Sequence, residues 1–185
     1  MVEIAFWLAA GLAVYVYAGY PVLLWLVRLL GGSRPVARAE QTPSVTLIVS
    51  AYNEAAVIRD KLVNSTQLDY PAEQLEILVV SDASDDGTDE IVQNFGDPRV
   101  KLLRMPERGG KTVGLNAAVK AARGEIIVFS DANAMYFKDA IRKMVRNFAD
   151  PKVGAVVGES TYADADGGAQ QSESLYWKYE TGIKR

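Results

Sequence analysis

The first hydrophobic feature of the chain is an uncharged run from Ile4 to Val27. At a rise of about 1.5 Å per residue, a helix of this length exceeds a hydrocarbon core of about 30 Å. A cleaved signal peptide has a basic start and a shorter apolar stretch, whereas this chain begins Met1-Val2-Glu3. The pattern therefore predicts a transmembrane anchor over residues 1–30, with Pro21 kinking its last turns.

The charges that flank this run predict its orientation. Only Glu3 precedes it, while three arginines follow it: Arg28, Arg34 and Arg38. Positive charge is retained on the cytoplasmic side of membrane helices. We therefore expect a single-pass protein of the cell inner (plasma) membrane, with residues 31–43 as a linker and the rest of the chain in the cytoplasm.

From Val45 onward, short apolar runs alternate with longer segments of helical period. The apolar runs are rich in β-branched residues and nearly continuous in hydrophobicity, as buried parallel strands are. The predicted strands are Val45–Ala51, Leu75–Ser81, Val100–Leu103, Ile126–Ser130 and Val153–Val157. The predicted helices are Glu54–Gln67, Thr88–Phe95, Lys111–Ala122 and Lys138–Phe148. This alternation predicts a doubly wound, mostly parallel α/β domain over residues 44–185, with ligands at the carboxyl ends of its strands.

Composition narrows the chemistry. The chain has 185 residues, no Cys and no His, so disulfides, thiolate or His-ligated metal sites and Ser-His-Asp triads are excluded. Its net charge of −3 gives no electrostatic case for nucleic acid as a partner. Any acid–base or metal chemistry must depend mainly on carboxylates, amides and lysine.

Polar clusters follow the first two strands. In the first cluster, Ser50 to Glu54, we expect Asn53 to cap a helix, Glu54 to suit its positive end and Tyr52 to lie against a nucleobase. The second cluster, Ser81 to Thr88, can be a turn that caps the next helix, while Asp82 can accept a hydrogen bond from a base N–H. It also resembles the start of a calcium loop, but position twelve is Gln93 and a strand precedes it.

Two further clusters follow later strands. Arg108-Gly109-Gly110-Lys111-Thr112 lacks the earlier glycine of a P-loop, since Met105 stands there. Its glycines allow close approach of the backbone to a ligand, and Lys111 supplies a cation for a phosphate or a base carbonyl. In Ser130-Asp131-Ala132-Asn133, the Asp131 carboxylate and the Asn133 amide oxygen can share a divalent cation that bridges a diphosphate, although both residue types also form turns.

In this order, the four clusters resemble the family-2 glycosyltransferases, which have a GT-A fold, over roughly Pro43 to Arg185. The resemblance implies that Ser50 and Tyr52 hold a uridine-like base and that Asp82 hydrogen-bonds it. It also implies that Lys111 lies near the nucleotide and that Asp131 and Asn133 occupy the DxD motif, where they contact the nucleotide and Mg²⁺ or Mn²⁺. Glu54 matches the Tyr-Asn-Glu of the family. The membrane helix and Tyr176-Trp177-Lys178-Tyr179-Glu180 are similar to membrane-bound polysaccharide synthases.

Two departures from that family shape the functional hypothesis. Asn133 replaces the second acidic residue of DxD, which lowers the charge available to a metal. The Glu-Asp motif that carries the catalytic base and the Gln-x-x-Arg-Trp motif are both missing, so the base is unknown and the chain is expected to be an N-terminal part without activity of its own. Asp164, Asp166 and Glu159 are interpreted as loop residues.

The sequence thus predicts the donor half of an enzyme that transfers a sugar, with inversion, from a nucleotide sugar to a glycan or lipid acceptor. The donor is expected to be a UDP-sugar, and the process cell-surface or exopolysaccharide synthesis. Two other functions stay open. One is a non-catalytic, membrane-tethered nucleotide-binding module. The other is a nucleotidyltransferase, although Ser50 to Glu54 lacks the Gly-rich basic loop of that class.

Overall fold

A computed structural model of the chain describes residues 2–31 and 35–158, which fall into two units. The first unit contains an N-terminal helix. It comprises α1 (Val2–Val14), a π-helical turn at Tyr15–Gly19 and α2 (Tyr20–Gly31). The segment Val2–Leu30 is long and apolar enough to cross a membrane, by length and composition, and none of its residues is buried.

The π-helical turn lies just before Pro21. Proline has no N–H to donate to the preceding turn of a helix. The neighbouring N–H, that of Tyr20, donates to the carbonyl of Tyr15, five residues back. The interruption that Pro21 suggests is therefore present as a local change of hydrogen-bond register.

The second unit, residues 36–158, is an α/β domain with one parallel sheet in the strand order β3-β2-β1-β4. Its strands are β1 (Val45–Ala51), β2 (Leu75–Ser81), β3 (Val100–Arg104) and β4 (Ile126–Asp131). Its helices are α3 (Ile58–Thr66), α4 (Thr88–Gln93), α5 (Lys111–Ala121) and α6 (Ala140–Val145), with 3-10 turns at Ala72–Gln74 and Arg146–Ala149.

Helices cover both faces of the sheet, which confirms the doubly wound prediction. Along β1, Leu47 and Val49 pack with α3, α4 and α6 in the larger core cluster, while Ile48 packs on the opposite face with Ala118 of α5. Gly114 lets α5 approach β2, because a Cβ at this position would lie 3.3 Å from Val80 Cγ2. The strands therefore need apolar residues on both faces, as their sequences indicate.

The predicted strand at Val153–Val157 is wrong. Residues 153–158 form no ladder with any of the four described strands, and Val157 is 92% exposed. Instead, the Val153 N–H donates to the carbonyl of Asp150 and closes a turn. An apolar run becomes a strand only when it finds a backbone partner, which periodicity alone cannot reveal. The predicted helix around Leu175–Glu180 and the carboxylates Glu159, Asp164 and Asp166 lie outside the described residues.

The segment before β1 is extended and belongs to the domain. The Ala37 N–H donates to Asp150 Oδ2 at 3.4 Å, the Ala39 N–H donates to the Arg146 carbonyl, and the Gln41 amide donates to the Val145 carbonyl at 2.7 Å. The second half of the predicted linker is therefore hydrogen-bonded along the end of α6.

Candidate functional site

The strand order places a cleft at the carboxyl ends of β1, β2 and β4. After β3 the chain returns to the other side of β1, so β1 and β4 form the switch point at which open α/β sheets bind ligands. The cleft has a volume of about 280 Å³. It is lined by all seven side chains selected from the sequence, namely Ser50, Tyr52, Glu54, Asp82, Lys111, Asp131 and Asn133, together with Ala51, Val80 and Gly114.

Asp131 links three of the elements around the cleft. Its Oδ1 accepts hydrogen bonds from Ser50 Oγ at 3.0 Å and from Lys111 Nζ at 2.5 Å. These contacts join the end of β4 to β1 and to the start of α5. The hydrogen bond from Lys111 holds the pKa of the Asp131 carboxyl below its usual value; partial burial opposes this, and the Ser50 hydrogen bond supports it. Both charged side chains are more than half exposed, so their partners can change when a ligand enters.

Asp82 has a different role in the structure from the base contact that the resemblance implies. Its two carboxylate oxygens accept the N–H groups of Gly109 and Gly110, at 2.8 and 2.9 Å. Gly110 has φ of 84°, a conformation that favours glycine, and stands directly before α5. Asp82 therefore fixes the loop from which Lys111 enters the cleft. Whether the same carboxylate also accepts a base N–H stays a prediction.

Tyr52 lies at the mouth of the cleft with one ring face covered. The guanidinium carbon of Arg108 is 4.1 Å from the centroid of the Tyr52 ring, which is within cation–π distance. A base that stacks on Tyr52, as predicted, would therefore have to use the other ring face or displace Arg108. Arg108 stands in the Gly-Gly-Lys cluster, but its reach to the first cluster cannot be seen in the sequence.

The prediction that Asn53 caps a helix is wrong. The helix begins at Ile58, with Val57 at the N-cap position, and Asn53 has a positive φ of 56°. Its side chain instead exchanges two hydrogen bonds with Asp85: its amide donates to Oδ1 at 2.8 Å, and its carbonyl oxygen accepts the Asp85 N–H at 3.0 Å. Glu54 keeps a place in the cleft wall, and its carbonyl accepts the N–H groups of Val57 and Ile58.

The acidic loop after β2 accepts hydrogen bonds from the backbone of the segment that follows β1. The successive backbone N–H groups of residues 53, 54 and 55 donate to Ser84 Oγ, Thr88 Oγ1 and Asp86 Oδ2. Thr88 does not cap α4; Gly87 occupies that position, and the Thr88 hydroxyl donates to Asp86. Among residues 2–31 and 35–158, no group of three or more His, Cys, Asp or Glu side chains could hold a metal, so the loop gives no support to a calcium site.

Sequence reasoning missed Lys61, which is fully buried beneath the end of β4. Its Nζ donates to Ser130 Oγ at 2.7 Å and to the Ala134 carbonyl, and it lies 4.3 Å from the centroid of the Tyr136 ring. Burial lowers the pKa of Lys61 to about 8, with the negative charge of Asp131 acting in the opposite direction. The signal was available: Lys61 shares the buried face of α3 with Ile58, Leu62 and Ser65, at helical spacing.

Comparisons with curated proteins identify relatives that carry the same domain. Residues 46–185 match the family described as "Glycosyl transferase family 2". A probable glycosyltransferase of Bacillus subtilis, YdaM, is 35% identical over 126 residues, which is 65% of this chain and 30% of the relative. A poly-β-1,6-N-acetyl-D-glucosamine synthase of Staphylococcus aureus is 31% identical over 71% of this chain and 32% of the relative. The chain thus spans about a third of the length of these relatives.

Solved structures show the same architecture. A mannosyltransferase of Pyrobaculum calidifontis, PcManGT, in complex with GDP-Man and Mn²⁺, is 37% identical with a TM-score of 0.67, over 79% of this chain and 45% of that chain. Residues 1–349 of S. aureus TarS, in complex with UDP-GlcNAc, are 25% identical with a TM-score of 0.54, over 65% of this chain and 38% of that chain. Together with the parallel sheet, these similarities confirm the predicted GT-A fold. The chain belongs to glycosyltransferase family 2.

Proposed function

We propose that this chain binds the sugar donor of a glycosyltransferase that moves a sugar from a nucleoside diphosphate sugar to a glycan or lipid acceptor. One observation carries the proposal: seven side chains, selected from four separate strand ends of the sequence, line one cleft at the switch point of the sheet. The relatives named as glycosyltransferase and polysaccharide synthase support the same function.

The cleft supports a division into a base end and a phosphate end. Tyr52, with Arg108 on its ring, and Asp82 offer an aromatic surface and a carboxylate to a nucleobase. Lys111 and Asp131 lie together at the β1–β4 side, where Lys111 is the cation suited to phosphate oxygens. Ser50, which the resemblance assigns to the base, hydrogen-bonds to Asp131 and lies between the two ends. We assign the nucleoside to the first end and the diphosphate to the second.

The side chains at the β4 end of the cleft offer oxygen ligands that suit a hard divalent cation. Asp131 and Asn133 both line the cleft and offer a carboxylate and an amide oxygen, the ligand types that Mg²⁺ and Mn²⁺ accept. Two protein ligands are enough where phosphate oxygens complete the set. Such a cation would neutralise charge that develops on the departing diphosphate. The Mn²⁺ complex of PcManGT supports this assignment.

For the donor, we favour a UDP-sugar because TarS binds UDP-GlcNAc and the S. aureus synthase makes an N-acetylglucosamine polymer. The GDP-Man complex of PcManGT, at 37% identity, supports a GDP-sugar as the second candidate. The described residues do not separate the two, since Asp82 offers a carboxylate to either base. Both nucleotides therefore belong in the test.

We further propose direct displacement with inversion. A base would take the proton of an acceptor hydroxyl, whose oxygen forms the new bond to the anomeric carbon as the bond to the diphosphate breaks. Lys111 would stabilise the negative charge of the leaving diphosphate. None of the seven side chains is assigned as the base.

For the membrane arrangement, we propose residues 1–30 as the anchor, residues 31–43 as the linker and residues 44–185 as a cytoplasmic domain of a plasma-membrane protein. The second half of the linker is held against the domain by its hydrogen bonds to residues 145–150. The apolar helix Val2–Leu30 and the arginines that follow it support this arrangement. Cell-surface polysaccharide synthesis suits it, because the donor is cytoplasmic and the product is exported.

Nucleotide titration of the full chain in detergent micelles tests the proposed function. We expect wild type to bind UDP or GDP, more tightly with Mn²⁺, and Asp131→Ala to weaken the Mn²⁺-dependent binding at least tenfold. Asp69→Ala is the matched control, since Asp69 pairs with Arg142 and does not line the cleft. Binding of neither nucleotide, or binding that is indifferent to Asp131, would contradict the proposal.

A further inference from the structure

A buried lysine supports the loop that carries both predicted metal ligands. Lys61 occupies an apolar-face position of α3 and is 0% exposed. Its ammonium group has three polar neighbours: it donates to Ser130 Oγ, donates to the Ala134 carbonyl and faces the Tyr136 ring. Ser130 and Ala134 stand on either side of Asp131 and Asn133, so the two hydrogen bonds of Lys61 close around this segment.

A second residue of α3 extends the same support. Asn64, one helical turn after Lys61, donates from its side-chain amide to the Tyr136 carbonyl and accepts the Tyr136 N–H, both at 2.9 Å. The Tyr136 hydroxyl in turn donates to the Phe129 carbonyl at 3.1 Å. Residues 129–136 are therefore fixed to one face of α3. Two bonds within the segment add to this support: the Ala134 N–H and the Ser130 hydroxyl both donate to the Asp131 carbonyl, each at 3.2 Å.

Within residues 2–31 and 35–158, the charge of Lys61 is not paired with a carboxylate. No carboxylate oxygen of the described part of the chain lies within 4 Å of its Nζ. A buried charge without a counterion is costly, and groups of this kind cluster at functional sites. The side chain of Asp131 is the acidic group whose field reaches Lys61, and it stands at the diphosphate end of the cleft.

We propose that Lys61 is a positioning residue of the donor site, which holds the Asp131–Asn133 turn in place and supplies a positive charge beneath the diphosphate. This inference rests on the proposed function, since it assigns the diphosphate to the β4 end of the cleft. Lys61 does not touch the donor; it acts through Ser130, Ala134 and its electric field.

The two roles of Lys61 can be separated by substitution in the full chain, in detergent micelles. Lys61→Met removes both the hydrogen bonds and the charge, whereas Lys61→Gln removes the charge and keeps amide donors on a side chain one atom shorter. We expect both variants to weaken binding of UDP or GDP about tenfold, because a charge in a low-dielectric site acts over several ångströms. Binding of uridine or guanosine should change less than twofold, because the nucleosides carry no phosphate.

Hydrogen exchange provides a readout that needs no nucleotide. In Lys61→Met we expect the amides of residues 129–136 to exchange at least tenfold faster than in wild type, and in Lys61→Gln to stay closer to wild type. Lys120→Met, at an exposed lysine of α5, is the matched control and should change neither measurement.

Each outcome bears on one claim. Equal weakening of nucleoside and diphosphate binding in the Lys61 variants would overturn the electrostatic role, since a distorted domain predicts that result. Unchanged exchange in Lys61→Met would overturn the positioning role. A wild-type chain that binds neither UDP nor GDP would remove the proposed function and the electrostatic role with it, while the exchange data would still decide the positioning role.

Discussion

Two carboxylates at the edge of the same sheet stand in opposite situations. Asp82, after β2, is 8% exposed, and both of its oxygens accept backbone N–H groups. Asp131, at the end of β4, has a side chain that is 53% exposed, and its contacts come from the flexible side chains of Lys111 and Ser50. The comparison indicates that one side of the cleft is a fixed scaffold, while the other can exchange its partners for a ligand.

The segments around the two carboxylates are also held in different ways. Around Asp82, the loop of residues 84–88 takes up three successive N–H groups of the segment after β1. Around Asp131, the turn depends on α3, through Lys61 and Asn64. Binding energy for a donor is gained more readily where groups are already in position, because less ordering is required on binding.

The largest expected effect contrasts the two carboxylates directly. Asp82→Ala leaves the N–H groups of Gly109 and Gly110 without their charged acceptor, so we expect the free energy of unfolding to fall by about 2 kcal/mol. Asp131→Ala removes an exposed ion pair with Lys111 and a hydrogen bond from Ser50, and it should change the free energy of unfolding by at most about 1 kcal/mol. Denaturant unfolding of both variants in micelles, followed by circular dichroism, measures the difference. Equal losses of stability in the two variants would contradict the distinction between a fixed Asp82 and an exchangeable Asp131.

The second prediction concerns the buried cation beneath the β4 side. Because the pKa of Lys61 is lowered from 10.5 to about 8, the unfolded chain binds more protons than the native one between these pH values. Stability should therefore rise with pH in this window, and Lys61 should destabilise the fold most fully below pH 8. Between pH 7 and 10 we expect wild type to gain about 2 kcal/mol relative to Lys61→Met.

The comparison with Lys61→Met is necessary because other groups titrate in the same range. Tyr136, which faces the Lys61 ammonium, has a pKa raised by burial, and exposed lysines also lose protons at high pH. The contributions of the exposed lysines are common to both proteins, while that of Lys61 is not, and Tyr136→Phe in both backgrounds removes the contribution of the phenol. Parallel pH profiles for the two proteins would show that Lys61 keeps its ordinary pKa and would count against a buried, unpaired charge.

The features of the fold and of the cleft that the sequence predicts correctly are those that depend on local patterns of residues. The bounds of β1 and β2 agree with the structure because buried parallel strands are apolar on both faces, and polar residues mark their ends. The seven cleft residues could be selected because carboxyl ends of parallel strands meet at one edge. Their roles as donor and metal contacts stay predictions.

Non-local contacts explain what the sequence did not predict. Asparagine is a residue type that often caps helices, which is why the sequence predicts this role for Asn53. However, the loop of residues 84–88 accepts the N–H groups of residues 53, 54 and 55, and the helix starts only at Ile58. Asp82 is bound by glycines that lie far along the chain. Lys61 looks like an ordinary helix lysine until its neighbours on the buried face are counted, and its partners all come from the segment around β4.

The smallest expected effect is at the junction between the two sides, where Gly110 joins the Asp82 contact to Lys111. A Cβ at Gly110 would meet no atom within 4 Å, so Gly110→Ala introduces no clash and only disfavours the φ of 84°. We expect a loss of at least about 1 kcal/mol in the free energy of unfolding, because a φ of 84° with a ψ of 160° is a conformation that residues other than glycine rarely adopt. At Gly109 a Cβ would lie 3.1 Å from Val113 Cγ1, so Gly109→Ala tests crowding instead of backbone strain.

If the fixed scaffold of Asp82 sets the position of Lys111, Gly110→Ala should also weaken UDP or GDP binding, by a factor of a few, without changing nucleoside binding. Weakened nucleoside binding would instead show that the two ends of the cleft move together.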